Sequence, residues 1–168
     1  PDFPVDRHIM WQRCRCWLVY RGYSHAIDDQ CLTGIVFPSP NTARWTFRVP
    51  AGLGKHVDIE IAVRLRQGQN RVELTFTRLA ATADTLPADA PVRVIVRPDI
   101  DDRNAHGVTK AYVGPEHRWP AACEPLDRGF RFVPDESRRL AIAASSGRFV
   151  SEPEWQYMVH RPFEATRG

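Results

Sequence analysis

Three stretches gather the side chains that could do chemistry. The first, residues 20–30, reads YRGYSHAIDDQ and brings Tyr20, Arg21, Tyr23, His25, Asp28 and Asp29 together. Aromatic rings stack on the apolar face of a pyranose, and carboxylates accept its hydroxyl protons, so this stretch suits a bound sugar. The same residues also suit turn hydrogen bonds and packing at a sheet edge. The second, RPDIDDRNAHG at residues 97–107, holds Asp101, Asp102 and His106. Its alternating aspartates have the look of a calcium loop, but Arg103 stands where a third ligand belongs and no glutamate closes the site. Ion pairs with Arg97 and Arg103 are the expectation there, and no metal site is expected. The third, residues 114–129, presents Glu116, His117 and Trp119 between prolines. Trp119 is either a sugar platform or a plug in the core, and the plug is the favoured reading.

These groups do not assemble into a catalytic template. A glycosidase needs two carboxyl groups roughly 5–5.5 Å or 6.5–9.5 Å apart across the bond it cleaves. Sequence alone cannot set Asp28 or Asp29 opposite Asp101 or Asp102. There is no GxSxG, HExxH, P-loop or GxGxxG ahead of a helix. No catalytic residue and no cofactor is therefore assigned, and a binding or scaffolding module is expected. Cys14, Cys16, Cys31 and Cys123 form no CxxC pair and are expected to be reduced, buried thiols. Cys14 and Cys16 would share one face of a strand.

The elements that must position these stretches read as strands. In residues 56–79, Val57, Ile59, Ile61, Val63 and Leu65 alternate with Asp58, Glu60, Ala62, Arg64 and Arg66. A Gln-Gly-Gln-Asn turn follows, and the return run alternates Val72, Leu74 and Phe76 with Glu73, Thr75 and Thr77. Period-2 alternation puts the first set on one face, so an amphipathic hairpin is expected with a second layer against it. Similar runs at residues 11–20, 31–37, 43–49, 92–97, 129–133, 139–144 and 155–159 are rich in Val, Ile, Phe and Trp and bounded by Pro or Gly. Roughly nine or more short strands with little helix predict an all-β fold, an antiparallel β-sandwich of supersandwich type. Residues 79–90 read as a loop.

The chain has 168 residues, enough for one domain with its own core, and a single β-sandwich domain over 1–168 is expected. Its 23 basic and 20 acidic residues leave a charge of +3 spread along the chain, which argues against a nucleic-acid partner. No apolar run approaches the roughly 20 residues of a membrane span, so no membrane association is expected.

The closing residues EWQYMVHRPFEATRG carry a motif of the form HR-x-x-E-x-x-R-G in His160, Arg161, Glu164, Arg167 and Gly168. This stretch, with the GF-led strand before it and RPDIDDRNAHG in mid-chain, resembles the N-terminal domain of bacterial and archaeal glycogen debranching enzymes of the amylo-α-1,6-glucosidase type. In that family the β-sandwich precedes an α-helical catalytic barrel. The resemblance implies a cytoplasmic, noncatalytic domain of an enzyme that hydrolyses α-1,6-glucosidic branch points, with 4-α-glucanotransferase activity in some members. It implies that the catalytic carboxylates lie beyond Gly168. His160, Arg161, Glu164 and Arg167 would then pin the domain to its own catalytic barrel through charge-assisted hydrogen bonds. The partners so implied are that barrel and α-glucan. Read this way, the start at Pro1 and the stop at Gly168 are seams in a longer chain. Two further readings stay open, a free-standing module for α-glucan and a protein-interaction sandwich.

Overall fold

The computed structural model describes residues 8–105, 107–110, 112, 114–157 and 159. The described chain is all-β and mainly antiparallel. In order it forms β1 (His8–Tyr20), β2 (Tyr23–Ala26), β3 (Leu32–Ser39), β4 (Thr42–Gly52), β5 (Lys55–Leu65), β6 (Val72–Arg78) and β7 (Arg93–Asn104). A short helix α1 (Pro115–Ala121) follows, then β8 (Cys123–Leu126), β9 (Gly129–Asp135) and β10 (Arg138–Ala143). The strands make three sheets, ordered β2-β1-β7, β3-β4-β5-β6 and β10-β9-β8. The chain falls into two compact units, Arg13–Asp99 and the remainder, and β1 and β7 each run from one into the other.

In the Arg13–Asp99 unit the expected sandwich forms. The register Val49↔Val57, Phe47↔Ile59 and Trp45↔Ile61↔Phe76 sets the alternating apolar residues of β4, β5 and β6 on one face. One end of that face is covered. There Leu18 of β1, with Val92 and Val94 before and in β7, closes over Val49, Ala51, Val57 and Ile59. Leu18, Val49 and Val57 are almost wholly removed from water, each contributing about 1.5–3 kcal/mol by the transfer of its apolar surface. Exposure rises along the same strands away from this core. On β5 it runs from buried Val57 and Ile59 through half-buried Ile61 and Val63 to Leu65, which is 53% exposed. The outer face is polar, with Arg48 and Asp58 in two parallel hydrogen bonds of 3.0 Å.

The stretch after β6 is a loop, as its proline and small residues predict, tied to β5 by backbone hydrogen bonds at His56 and by Lys55, which donates to the Ala83 carbonyl, and gathered by Arg78. The Arg78 guanidinium donates to four carbonyls, those of Leu86 (3.2 Å), Pro87 (2.6 Å), Ala88 (3.3 Å) and Ala90 (2.7 Å). Carbonyls that no strand pairs are thus given donors.

In the other unit β8, β9 and β10 form a three-stranded antiparallel sheet over buried Phe130 and Phe132. Gly129 opposes Ala143 so closely that a Cβ there would collide with the Ile142 carbonyl. Glycine is needed at this position for close approach rather than for its backbone freedom.

Three expectations differ from the structure. The aspartate-rich stretch after Arg97 is the second half of β7 rather than a loop: aspartate is a poor strand former, but here its carboxylates are tied down by neighbouring guanidinium groups. The Pro-rich stretch after Gly114 contains α1, because Pro115 at the first helical position arrives with its φ already set. Residues 155–157 and 159, expected as a strand, have no regular structure. The Trp155 and Tyr157 side chains pair with rings and a carboxylate near α1 instead.

Candidate functional site

The first candidate stretch closes a hairpin. Tyr20 pairs with Tyr23 across a two-residue turn in which Arg21 and Gly22 both have positive φ, 48° and 82°. That geometry matches the twist of the flanking strands. The Arg21 guanidinium lies 5.3 Å from the centre of the Tyr20 ring. Tyr23 stands 6.4 Å from the ring of His25, whose Nδ1 donates to the Ala26 carbonyl at 2.8 Å. Asp28 caps a 3-10 turn at Asp29–Cys31 by accepting the Gln30 amide proton at 3.1 Å. Asp29 is exposed. Here the residues read from sequence do lie together, and most of their polar atoms serve the turn itself.

Cys14 and Cys16 are free thiols on one face of β1, and Cys31 and Cys123 are free as well. The hydrogen bond between Cys14 and Cys16 lowers the Cys14 thiol, against burial, and the same bond raises Cys16. Cys16 and Cys31 are buried, while Cys14 and Cys123 are half-buried.

The second stretch is a set of paired charges. Asp101 and Arg103 are 2% and 5% exposed, with Arg103 Nε 3.2 Å from Asp101 Oδ2. Asp101 also accepts from Gln12 and Thr109, while Arg103 donates to the carbonyls of Ala105 (3.2 Å) and Gly107 (2.9 Å). This buried pair ties down the chain that leaves β7. Asp102 faces the other way and accepts two hydrogen bonds from Arg138, at 2.7 Å and 3.0 Å. His106 lies outside the described residues, as do His160, Arg161, Glu164 and Arg167.

The third stretch builds a concave feature with an aromatic wall. Trp119, on α1, packs edge-on against Phe132 of β9, centroids 5.6 Å apart at 75°, and its ring lies 5.5 Å from Trp155. Trp155 in turn lies 6.4 Å from Tyr157, whose hydroxyl donates to Glu116. That hydrogen bond pushes the Tyr157 phenol above its ordinary value. Trp119 is half-buried, so it is both the expected plug, against Phe132, and a partly open surface. Beside it a cleft of about 250 Å³ is lined by Trp119, Arg118, Asp102, Asp135 and Arg138, among others. Asp135 is held below the usual carboxylate range, first by its hydrogen bonds from the Ser137 hydroxyl and amide and then by the charge of Arg138.

An indole wall facing guanidinium and carboxylate groups is suited to one sugar ring. The volume lies just under the roughly 300–1,000 Å³ of pockets that enclose a small molecule, so the cleft is a contact surface. Sequence reasoning found Trp119 and Asp102 but missed Arg118, Asp135, Arg138 and Trp155. Arg138 and Trp155 arrive through partners far along the chain, Asp102 and Trp119, which no local spacing displays, whereas Arg118 adjoins Trp119 and Asp135 stands three residues before Arg138. Among the described residues no cluster of His, Cys, Asp or Glu could hold a metal ion. No helix among them is long and apolar enough to cross a membrane.

A family model described as glycogen debranching enzyme N terminal matches residues 1–168. No curated protein and no solved structure matches the chain.

Proposed function

The chain belongs to the family of glycogen debranching enzyme N-terminal regions over its whole length, and on that premise we propose that it is the noncatalytic β-sandwich domain of a cytoplasmic debranching enzyme. The parent hydrolyses α-1,6-glucosidic branch points, and a 4-α-glucanotransferase activity belongs to the same reading. The acid and base carboxylates sit in its α-helical catalytic barrel, against which this domain packs, with His160, Arg161, Glu164 and Arg167 at the junction. The observation that carries the noncatalytic role is the engagement of the β7 candidate carboxylates. Asp102 gives both oxygens to Arg138 and Asp101 is enclosed with Arg103, which leaves Asp28, one oxygen of which caps a turn, and exposed Asp29 for the test to address. A glycosidase acid or nucleophile needs an oxygen free to face the scissile bond. Glucose release from a limit dextrin by the 168-residue chain tests this: none is expected, and turnover that Asp28→Ala or Asp29→Ala removes would overturn it.

The Trp119 cleft favours a second reading beside the first, in which the domain itself touches α-glucan. Calorimetry with maltooligosaccharide should then show saturable binding that Trp119→Ala abolishes. Binding unchanged in that variant would exclude the cleft.

A further inference from the structure

At one end of the sheet β3-β4-β5-β6 two turns are locked side by side. The Leu65 amide of β5 donates to the Asn41 carbonyl at 2.8 Å, and the Asn41 side-chain amide donates back to the Leu65 carbonyl at 3.0 Å. These bonds tie the β3–β4 turn to the end of β5. Within the β5–β6 turn the Arg66 amide donates to the Arg71 carbonyl at 3.0 Å and the Gln69 amide to the Arg66 carbonyl at 3.1 Å. The register sets Arg64 across from Glu73, and the Arg66–Arg71 bond extends that ladder by one pair. Arg64, Arg66, Arg71 and Glu73 therefore stand on the polar side of the sheet, opposite to Leu65 and Val72. Here lies a cleft of about 420 Å³, within the size range of small-molecule pockets, lined by Asn41, Arg64, Arg66, Gln67, Gln69 and Arg71 among others.

Its lining holds three guanidinium groups and no carboxylate. Glu73 is the acid set beside them, and both its oxygens are taken, by Arg66 at 2.8 Å and Arg71 at 2.9 Å. Arg64, across the ladder from Glu73, makes no ion pair among the described residues. Three arginines and one glutamate leave two positive charges, and exposed Arg44, on the same side of β4, adds another. Farther along that side the charges match, Arg48 being held by Asp58. The Trp119 cleft is balanced as well, with two arginines facing two aspartates. Like charges held close repel, so the excess beside the β5–β6 turn favours a bound anion.

We propose that this cleft binds a phosphate monoester carried on a sugar. A phosphate monoester bears about 1.5 to 2 negative charges at neutral pH, which matches the excess, and its oxygens accept the paired hydrogen bonds that guanidinium groups donate. A lone carboxylate brings one charge and two oxygens to three guanidinium groups. Glu73 holds Arg66 and Arg71 in place, so less side-chain freedom is lost when the anion arrives. The Gln67 and Gln69 side-chain amides make no hydrogen bond among the described residues, and each offers a donor and an acceptor to sugar hydroxyls. The site stands independently of the debranching reading.

Calorimetry on the 168-residue chain at low ionic strength tests it with glucose 6-phosphate, glucose, inorganic phosphate and a maltooligosaccharide phosphorylated at a 6-hydroxyl. Glucose 6-phosphate should bind saturably, more tightly than either glucose or inorganic phosphate, and added salt should weaken it. Arg64→Gln removes a guanidinium that makes no ion pair, and should weaken binding about tenfold or more, with circular dichroism unchanged. Arg71→Gln should weaken it as well. Arg48→Gln, on the same side of the sheet but six residues along β4 from the partner of Arg64, should stay within about twofold. Tighter binding of the phosphorylated oligosaccharide assigns the phosphate to a glucan chain, and weaker binding assigns it to a free sugar phosphate; both support the site. Absence of saturable binding, Arg64→Gln binding as tightly as the parent, or an equal loss in Arg48→Gln overturns the proposal. Inorganic phosphate binding as tightly as glucose 6-phosphate overturns it too, because the amides then meet no sugar. None of these results bears on glucose release from a limit dextrin, so the functional reading stands or falls separately.

Discussion

Replacing Gly129 with alanine places a methyl group where β10 already lies. The added Cβ would fall inside the contact shell of the Ile142 carbonyl oxygen and 2.8 Å from Ala143 Cα. Both neighbours are backbone, so no side-chain rotation relieves the clash and β10 must move away from β9. Overpacking usually costs about 1–3 kcal/mol, and a rigid neighbour puts this case at or above the upper end. At about 2–4 °C per kcal/mol for a chain of this size, Tm should fall by roughly 6–12 °C. Gly34→Ala is the control: it meets nothing within 4 Å, its φ is ordinary, and it should stay within about 0.5 kcal/mol. Thermal and urea unfolding followed by circular dichroism read both variants. Near-ultraviolet circular dichroism should also change in Gly129→Ala, because β9 carries Phe132 against Trp119. A Gly129→Ala protein that melts within about 1 °C of the parent, or no lower than Gly34→Ala, would refute the close approach and the sheet geometry built on it.

Other outcomes follow from single sites. Leu53 is 93% exposed with φ of 53°, so its side chain contributes little burial and its backbone is strained; Leu53→Asn should stabilise by about 0.5–1 kcal/mol in urea unfolding. Arg78→Met keeps the stem but removes the donors to four carbonyls, and should cost about 1–3 kcal/mol while speeding hydrogen exchange selectively in residues 79–91. Glu73 is held below its ordinary value near 4.5, first by the Arg66 hydrogen bond and then by the charges of Arg66, Arg71 and Arg64. A depressed folded-state value means its contribution is present above about pH 4.5 and is lost as pH falls through the folded value. The stability difference between the parent and Glu73→Gln should therefore shrink on acidification below pH 4.5 and stay flat between pH 6 and 8.

Strand patterning is a local property, and it was legible without coordinates. The alternation from Val57 to Phe76 fixed the β5–β6 hairpin, its turn and its apolar side, because a period of two leaves no other way to bury those residues. The all-β class and the resemblance carried by the residues up to Gly168 pointed to the family that the whole chain matches. The single tryptophan of residues 114–129 was singled out for the same reason, as a large ring among prolines.

What the chain order could not express was which residues a dozen or more positions apart share a contact. Asp102 meets Arg138, Glu116 meets Tyr157, and Trp119 meets both Phe132 and Trp155, each pairing depending on how far strands run and where α1 turns. The aspartates of β7 looked like loop residues because propensity weighs one residue at a time, whereas the guanidinium groups that hold them in a strand arrive from elsewhere. Coverage was equally invisible. The sequence marks Val57 and Leu65 as the same kind of residue on the same face, and only the length and placement of β1 and β7 decide that one is sealed in a core and the other faces outward.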